Sequence, residues 1–469
     1  MSIITLELHS NSAKPLYQQL YEHIKSEILL GKLPTNYKLP SIRQLSSHLE
    51  CSRNTVKTAY QQLDAEGYIE ARPRSGYYVC KIEGIVTIEK ESSLSYKKEE
   101  KHQVYRYDFT YHGVDQESFP FSTWRKITKD VINEYDTELL QPGHPAGCPE
   151  LKTSIADYLR TSRGVDCRPD QIIISSGTEY LLQILIQLFS ENYVYAIENP
   201  GYEKINLIFR SNRVKYKAVP LDASGMQIKP LLESNANAAI VTPSHQFPSG
   251  TIMPADRRIQ LINWANAEKS RYIIEDDYDG EFRYHGRPIP SLHSLDKGGK
   301  VIYIGAFSKS LAPTIRISYM VLPKRLMKLY FDKLSFYVCP VPVFEQKVLS
   351  RFIRDGYFER HLNRMRKIYR EKRSNLVSCI NKLLPAAKIK GANAGLHLIL
   401  EVDNGMSEDE LIESAKNMGT RVFGYSQYYF SEDKANKDKV PRLLLGFSSI
   451  RNEDIPKAVE TLRKAWFIY

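Results

Sequence analysis

The stretch RYIIEDDYD, residues 271–279, followed by KVIYIGAFSKSLAPTIR, residues 300–316, decides how the larger part of this chain is read. YIIE and VIYIG are short apolar runs rich in isoleucine, the pattern of strands buried on both faces of a sheet. The first run ends in acids, and the second in a small-residue turn that carries Lys309. In open α/β sheets ligands sit just past the carboxyl ends of such strands. A lysine placed there and partly stripped of water can form a Schiff base with an aldehyde. Asp276 and Tyr278 have the spacing to meet a pyridine nitrogen and a ring hydroxyl, and an acid at that nitrogen keeps the ring protonated as an electron sink. Ser308 and Arg316 flank the lysine, and a fixed guanidinium suits a phosphate. Taken singly, these features have plainer readings: a solvated lysine, a solvated strand end, or acids gathered at a metal without a histidine pair beside them.

Working outward, the same alternation continues. Helices are expected over 149–160, 178–190, 202–211 and 255–268, with the strands QIIIS, YVYAIE, KYKAV and AAIVTP between them. Short β-rich runs between helices predict an α/β fold with a mostly parallel sheet covered on both faces. Three more motifs fall at strand ends. SSGT, residues 175–178, opens a helix whose free N–H groups suit a phosphate. ENPGY, residues 198–202, presents Tyr202 as a ring to stack on a ligand or simply to pack, and TPSHQFPSG, residues 242–250, is rich in turn formers.

The front of the chain has another character. Leu16, Leu20, Ile24, Ile28 and Leu29 recur at helical spacing and Gly31 closes the run. A second helix is expected over 41–49 with Ser41 as N-cap, and a third over 52–66, opened by Ser52 and closed by Gly67. Two short strands, 68–71 and 77–80, then flank a tight turn. Helix, helix-turn-helix and hairpin together make a winged helix. Its second motif helix would offer Arg53, Asn54, Thr55 and Lys57 to base edges and phosphates, with Arg43 facing the backbone and Arg72, Arg74 and Gly76 at the wing. The plainer alternative is a charged surface helix.

Composition sets the outer limits. The chain has 469 residues, and Lys plus Arg exceeds Asp plus Glu by 65 − 54 = 11, which permits nucleic-acid contact without requiring it. Six scattered cysteines with no CxxC pair exclude a cysteine-rich zinc finger and a dense disulfide framework. No apolar run reaches the ~20 residues of a membrane span, and the first ten residues lack a signal-peptide pattern, so a cytoplasmic protein with no membrane partner is expected. The polar run over 88–103 marks a linker, dividing the chain into 1–80, a linker at 81–104, and 105–469. A basic run, residues 360–373, either helps hold DNA or forms a helix that packs by Leu362, Met365 and Tyr369 and solvates the rest.

Two resemblances follow from these motifs. Residues 15–80, through KLPSIRQLS, CSRNTVKTAYQQLDAEGYI and SGYYV, resemble a GntR-type winged helix, which implies DNA contact through Arg43, Arg53, Asn54, Thr55, Lys57 and Gly76. The order SSGT, NPGY, TPSHQFPSG, EDDYD, SK and R resembles the fold-type-I pyridoxal-phosphate enzymes, the class-I aminotransferases in particular, over roughly 105–469. That resemblance implies pyridoxal 5'-phosphate as cofactor, Lys309 as its Schiff-base lysine, Asp276 at the pyridine nitrogen, Tyr278 at the ring hydroxyl and Tyr202 stacked on the ring. Gly177, Thr178, Ser308 and Arg316 would hold the phosphate. Arg442, with Arg421 as second candidate, would grip an effector carboxylate, and Lys204 would face the effector entrance. Two positions depart from the pattern. Phe247 stands where aminotransferases carry an asparagine that helps position the ring hydroxyl, and Ala306 stands where a phosphate-binding hydroxyl is common.

Joined in one chain, these two parts resemble the MocR/GabR group of bacterial regulators. The resemblance implies a DNA-binding transcriptional regulator, a homodimer arranged head to tail, and no completed catalytic cycle. An amino-group effector, γ-aminobutyrate as first candidate, would form an external aldimine with the cofactor released from Lys309 and shift the DNA-binding arrangement. The alternatives are an active aminotransferase that carries a DNA-binding domain, and a DNA-binding protein whose large part serves only for dimerisation. No metal is expected.

Overall fold

The computed structural model describes residues 6, 8–9, 14–82, 104–135, 137–284, 289–430 and 440–467. The linker expected at 81–104 lies almost wholly outside them. The chain forms two compact units, Met1–His102 and Gln103–Tyr469.

In the smaller unit, helix Leu16–Leu29 turns Leu20, Ile24 and Ile28 inward, as its apolar spacing requires. Helices Ile42–His48 and Arg53–Ala65 are each one residue shorter at either end than the expected 41–49 and 52–66. The terminal residues are caps, and their backbones lie outside the helix. Ser41 makes a reciprocal capping box with Gln44, and the Ser52 hydroxyl accepts the Thr55 N–H at 3.0 Å. Val56, Ala59, Tyr60 and Leu63 of the third helix pack inward, and the Tyr60 hydroxyl donates to the Pro40 carbonyl at 2.9 Å. Strands Ile69–Arg72 and Gly76–Val79 pair antiparallel as the wing.

The larger unit is built on an eight-stranded sheet. Its order is Ile172–Ser175, Ser318–Val321, Val301–Ala306, Tyr272–Asp277, Ala238–Val241, Val194–Asn199, Lys215–Asp222 and Gly225–Met226. The run from Val301–Ala306 to Lys215–Asp222 is parallel throughout. Ser318–Val321 is antiparallel to both its neighbours, so Ile172–Ser175 points the same way as the parallel set. The carboxyl ends that carry SSGT, NPGY, TPSHQF, DDYD and the Lys309 turn therefore share one edge. Strands such as IIIS and AAIV are buried at every position, as a sheet covered on both faces demands.

A second layer escaped the sequence-based expectation. Ala387–Lys390, His397–Val402, Arg442–Gly446 and Phe423–Gly424 form a four-stranded antiparallel sheet. The basic run lies within helix Tyr357–Leu383, which buries Leu362, Met365 and Tyr369 as the packing reading expected. It also buries Lys372, whose ammonium meets Asp115 at 2.6 Å and the Ser448 carbonyl at 2.8 Å. Among the described residues no helix is long and apolar enough to cross a membrane.

Candidate functional site

At that shared edge lies a cavity of about 310 Å³. It is walled by Gly177, Thr178, Tyr202, Lys204, Asp276, Tyr278, Ser308, Lys309 and Arg316, all named from the sequence, and further by Tyr111, His112, Phe247, Ala306 and His397. These residues come from segments more than two hundred positions apart; the sheet's common edge gathers most of them, and His397 joins them from the four-stranded sheet.

One end of the cavity is a seat for an anion. Gly177 caps helix Thr178–Leu188 with no side-chain acceptor and has φ of +98°, a left-handed conformation that favours glycine. A Cβ on Gly177 would lie 2.2 Å from a guanidinium nitrogen of Arg316. Arg316 is held there by bonds of 3.1 Å to the Ser176 carbonyl and 3.1 Å to the Glu179 carboxylate. Glu179 also meets the Lys204 ammonium at 3.3 Å. The Glu179 carboxylate meets its own backbone N–H at this helix N-terminus, so the spot beside the fixed guanidinium already takes an anionic group and suits a phosphate.

The other end holds the reactive groups. Lys309 donates from its amine to the Tyr111 carbonyl. Enclosure by the cavity walls pulls its pKa down to about 8, partly offset by Asp279. Burial, helped by the Asp277, Asp279 and Glu198 carboxylates, pushes Asp276 up to about 7. One Asp276 carboxylate oxygen is buried without a hydrogen-bond partner. Such an acid is well placed to meet a protonated ring nitrogen. His112 is held down at about 4, by burial and then by Lys309. An aldehyde-reactive amine, an orphaned acid and an anion seat in one cavity fit a phosphorylated pyridine aldehyde.

Behind Tyr278 lies a cluster that the sequence reading did not assemble. His245, Asp279 and His397 are buried, with ligand-capable atoms all within 4.8 Å of one another. The acids of the DDYD strand end thus do have a histidine pair beside them, contrary to expectation. TPSHQFPSG and IIEDDYD held His245 and Asp279 in plain view, whereas His397 lies in the unforeseen second sheet. The turn that carries His245 touches that sheet's approach closely: a Cβ on Gly250 would sit 2.5 Å from the Gly391 Cα. The sequence reading also missed Arg163, which binds Asp277 through two bonds of 2.7 and 3.1 Å and Ser244 at 2.7 Å. It pins the acidic strand end to the His245 turn.

Neither arginine expected to grip an effector carboxylate lines the cavity. Arg442 lies over the Tyr425 ring and donates to the Tyr429 hydroxyl at 3.1 Å. Arg421 lies 3.6 Å from Asp108 and packs on Tyr105 and Phe423.

In the smaller unit Arg43, Arg53, Asn54 and Lys57 are exposed, the last three on the first turns of helix Arg53–Ala65. Thr55 is half-buried and its hydroxyl lies 2.8 Å from that of Ser52. At the wing, Gly76 has φ of +109° and Arg74 has φ of +59°. Arg72 is engaged within the unit, bonding Glu70 at 2.6 Å and Asn36 at 2.8 Å.

Comparison with known proteins agrees with both units. Residues 16–79 match the model for bacterial regulatory proteins of the gntR family, and residues 108–433 match that for aminotransferase class I and II. The chain is 43% identical to the uncharacterized HTH-type transcriptional regulator YdeL of Bacillus subtilis, over 97% of each chain. It is 32% identical to the probable rhizopine catabolism regulatory protein MocR of Rhizobium meliloti, over 98% of this chain and 96% of that one. The crystal structure of Pyrococcus horikoshii kynurenine aminotransferase, a complex with PMP, superposes with a TM-score of 0.68 at 26% identity, covering 77% of this chain and 90% of that one.

Proposed function

The chain belongs to the MocR-like HTH-type transcriptional regulators, a gntR-type unit joined to an aminotransferase class I and II unit, and we propose on that premise that it is a pyridoxal-phosphate-dependent regulator answering to an amino-group effector. The observation that carries this is the pairing, in one cavity, of an amine lowered to about 8 on Lys309 with the orphaned carboxylate oxygen of Asp276. Pyridoxal phosphate bound there supplies an electron-withdrawing ring and a carbonyl open to exchange between amines. Lys309 presents one such amine. Asp276 holds a proton at the ring nitrogen, Tyr278 donates to the ring hydroxyl, and Tyr202 covers the ring. Gly177, Thr178, Ser308 and Arg316 hold the phosphate. Lys204 lines the cavity and is the cation best placed to meet the acid group of an effector, with γ-aminobutyrate the first candidate; Arg421 and Arg442 would have to move to take that part. Arg43, Arg53, Asn54, Thr55, Lys57 and Gly76 read double-stranded DNA. The working form is a homodimer, and exposed Phe336 and Val338 supply apolar surface for it on the larger unit.

An absorbance titration tests the reading. The purified protein takes up pyridoxal phosphate and colours, and one of a panel of amines shifts that band and changes operator affinity. Lys309→Ala loses the effector response and keeps basal DNA binding. A protein that stays colourless, or a normal effector response in Lys309→Ala, overturns it. The rival reading, an active aminotransferase, draws on how fully the cavity keeps its lysine, acid and anion seat. Sustained turnover of an amino acid with a keto acid would establish that rival.

A further inference from the structure

The cofactor asparagine of the aminotransferase pattern is replaced by Phe247, whose ring is buried in the cavity wall. The structure shows what stands near its former task. His245 Nδ1 lies 2.9 Å from a carboxylate oxygen of Asp279 and 3.1 Å from the Tyr278 hydroxyl. With the Asp279 carboxylate as acceptor, Nδ1 carries the proton. An N–H cannot accept from the phenol. The Tyr278 oxygen is therefore the acceptor of the second contact, and its own hydroxyl donates to Asp279. The cavity is where Tyr278 opens. His245 Nε2 faces the Gly391 carbonyl at 3.4 Å, and the His397 ring, which donates to the Pro248 carbonyl at 3.1 Å, packs 4.6 Å from His245. The pair occupies room that only glycine leaves: a Cβ on Gly395 would lie 2.0 Å from Nδ1 and 2.4 Å from Asp279.

We propose that His245, fixed by Asp279, is a positioning residue for Tyr278: it holds the phenol oxygen at the cavity wall, from where the hydroxyl can turn from Asp279 to a ring oxygen in the cavity, taking over the task of the amide missing at Phe247. The inference rests on the cofactor reading above. The charged or titratable groups facing this phenol are Asp276, Asp279, Glu198, Lys309, His245 and His397. The high-pH form of the bound chromophore carries more negative charge at its ring oxygen, so an aligned phenol donor stabilises that form and lowers the pH of its colour change.

The test uses the full-length protein loaded with pyridoxal phosphate. The pH midpoint of the visible band and the affinity for pyridoxal phosphate, by equilibrium dialysis, are measured for wild type, His245→Phe, His245→Gln and Tyr278→Phe. His245→Phe is expected to raise the midpoint by about one unit, the size of one lost hydrogen bond to a charged group. His245→Gln keeps an amide donor and restores most of the shift. In a Tyr278→Phe background, His245→Phe adds little, because both act through one phenol. A folded His245→Phe or His245→Gln protein that colours normally with the wild-type midpoint, or full additivity with Tyr278→Phe, overturns the inference and leaves the cofactor reading standing. A wild-type protein that takes up no pyridoxal phosphate overturns both.

Discussion

The two units solve the placement of functional side chains in opposite ways. The smaller one writes its candidate DNA-reading residues almost consecutively, Arg53, Asn54, Thr55 and Lys57, on one exposed helix end over a core of Val56, Ala59 and Tyr60. The larger one collects its cavity from Tyr111 to His397 and depends on buried charges to keep the walls in register. A surface face of the first kind can change its residues without changing its frame. A cavity of the second kind cannot, because the groups that build it are also the frame.

That contrast breaks most readily at Arg163. Arg163→Ala leaves Asp277 buried among Glu275, Asp276 and Asp279 without its cation, which costs about 3–5 kcal/mol. Denaturant unfolding of the larger unit should register that loss, and cofactor uptake should fall with it. An equally stable variant would mean that the acidic strand end is not held by this pair. The next largest effect is in pH. Lys309 is lowered to about 8, so its neutral, aldehyde-reactive fraction rises about tenfold per unit below that point and levels above it. The sign is that of a base depressed by burial: folding is disfavoured while the amine is charged, and this cost fades as pH rises from the folded pKa towards the unfolded value of about 10.4. The rate of pyridoxal phosphate capture by the cofactor-free protein should therefore plateau near pH 8, and a rate still climbing well past that would place Lys309 in open solvent.

The smaller unit sharpens the comparison from the other side. Arg53→Ala should weaken specific operator binding by about 1–3 kcal/mol and relax one base preference, with thermal stability unchanged. Retained specificity in a binding titration would remove Arg53 from the reading face. Ser52→Ala should cost about 1 kcal/mol of stability by removing the cap on Thr55, read as a modest drop in the unfolding midpoint.

How much was legible in advance follows the same division. The three helices and hairpin of the smaller unit were readable almost to the residue, because caps, glycine stops and apolar spacing are local signals. The parallel strands and the motifs at their ends were readable for the same reason. The second sheet was not, since its central pair, His397–Val402 with Arg442–Gly446, joins segments far apart in the chain and one strand, Phe423–Gly424, is only two residues. Arg163, His245, Asp279 and His397 were hidden as a group: each is ordinary in its own segment and gains meaning only where the strand end, the turn and the second sheet converge. Lys372 is a similar case, a cation in a basic run whose burial against Asp115 no local pattern announces.

The glycines at 250 and 391 meet main chain to main chain, with no side chain between them to yield. A joint of that kind has nothing compressible in it. The turn that carries His245 and Pro248 is therefore braced backbone against backbone on the segment that follows strand Ala387–Lys390, and neither can move toward the other without displacing main chain.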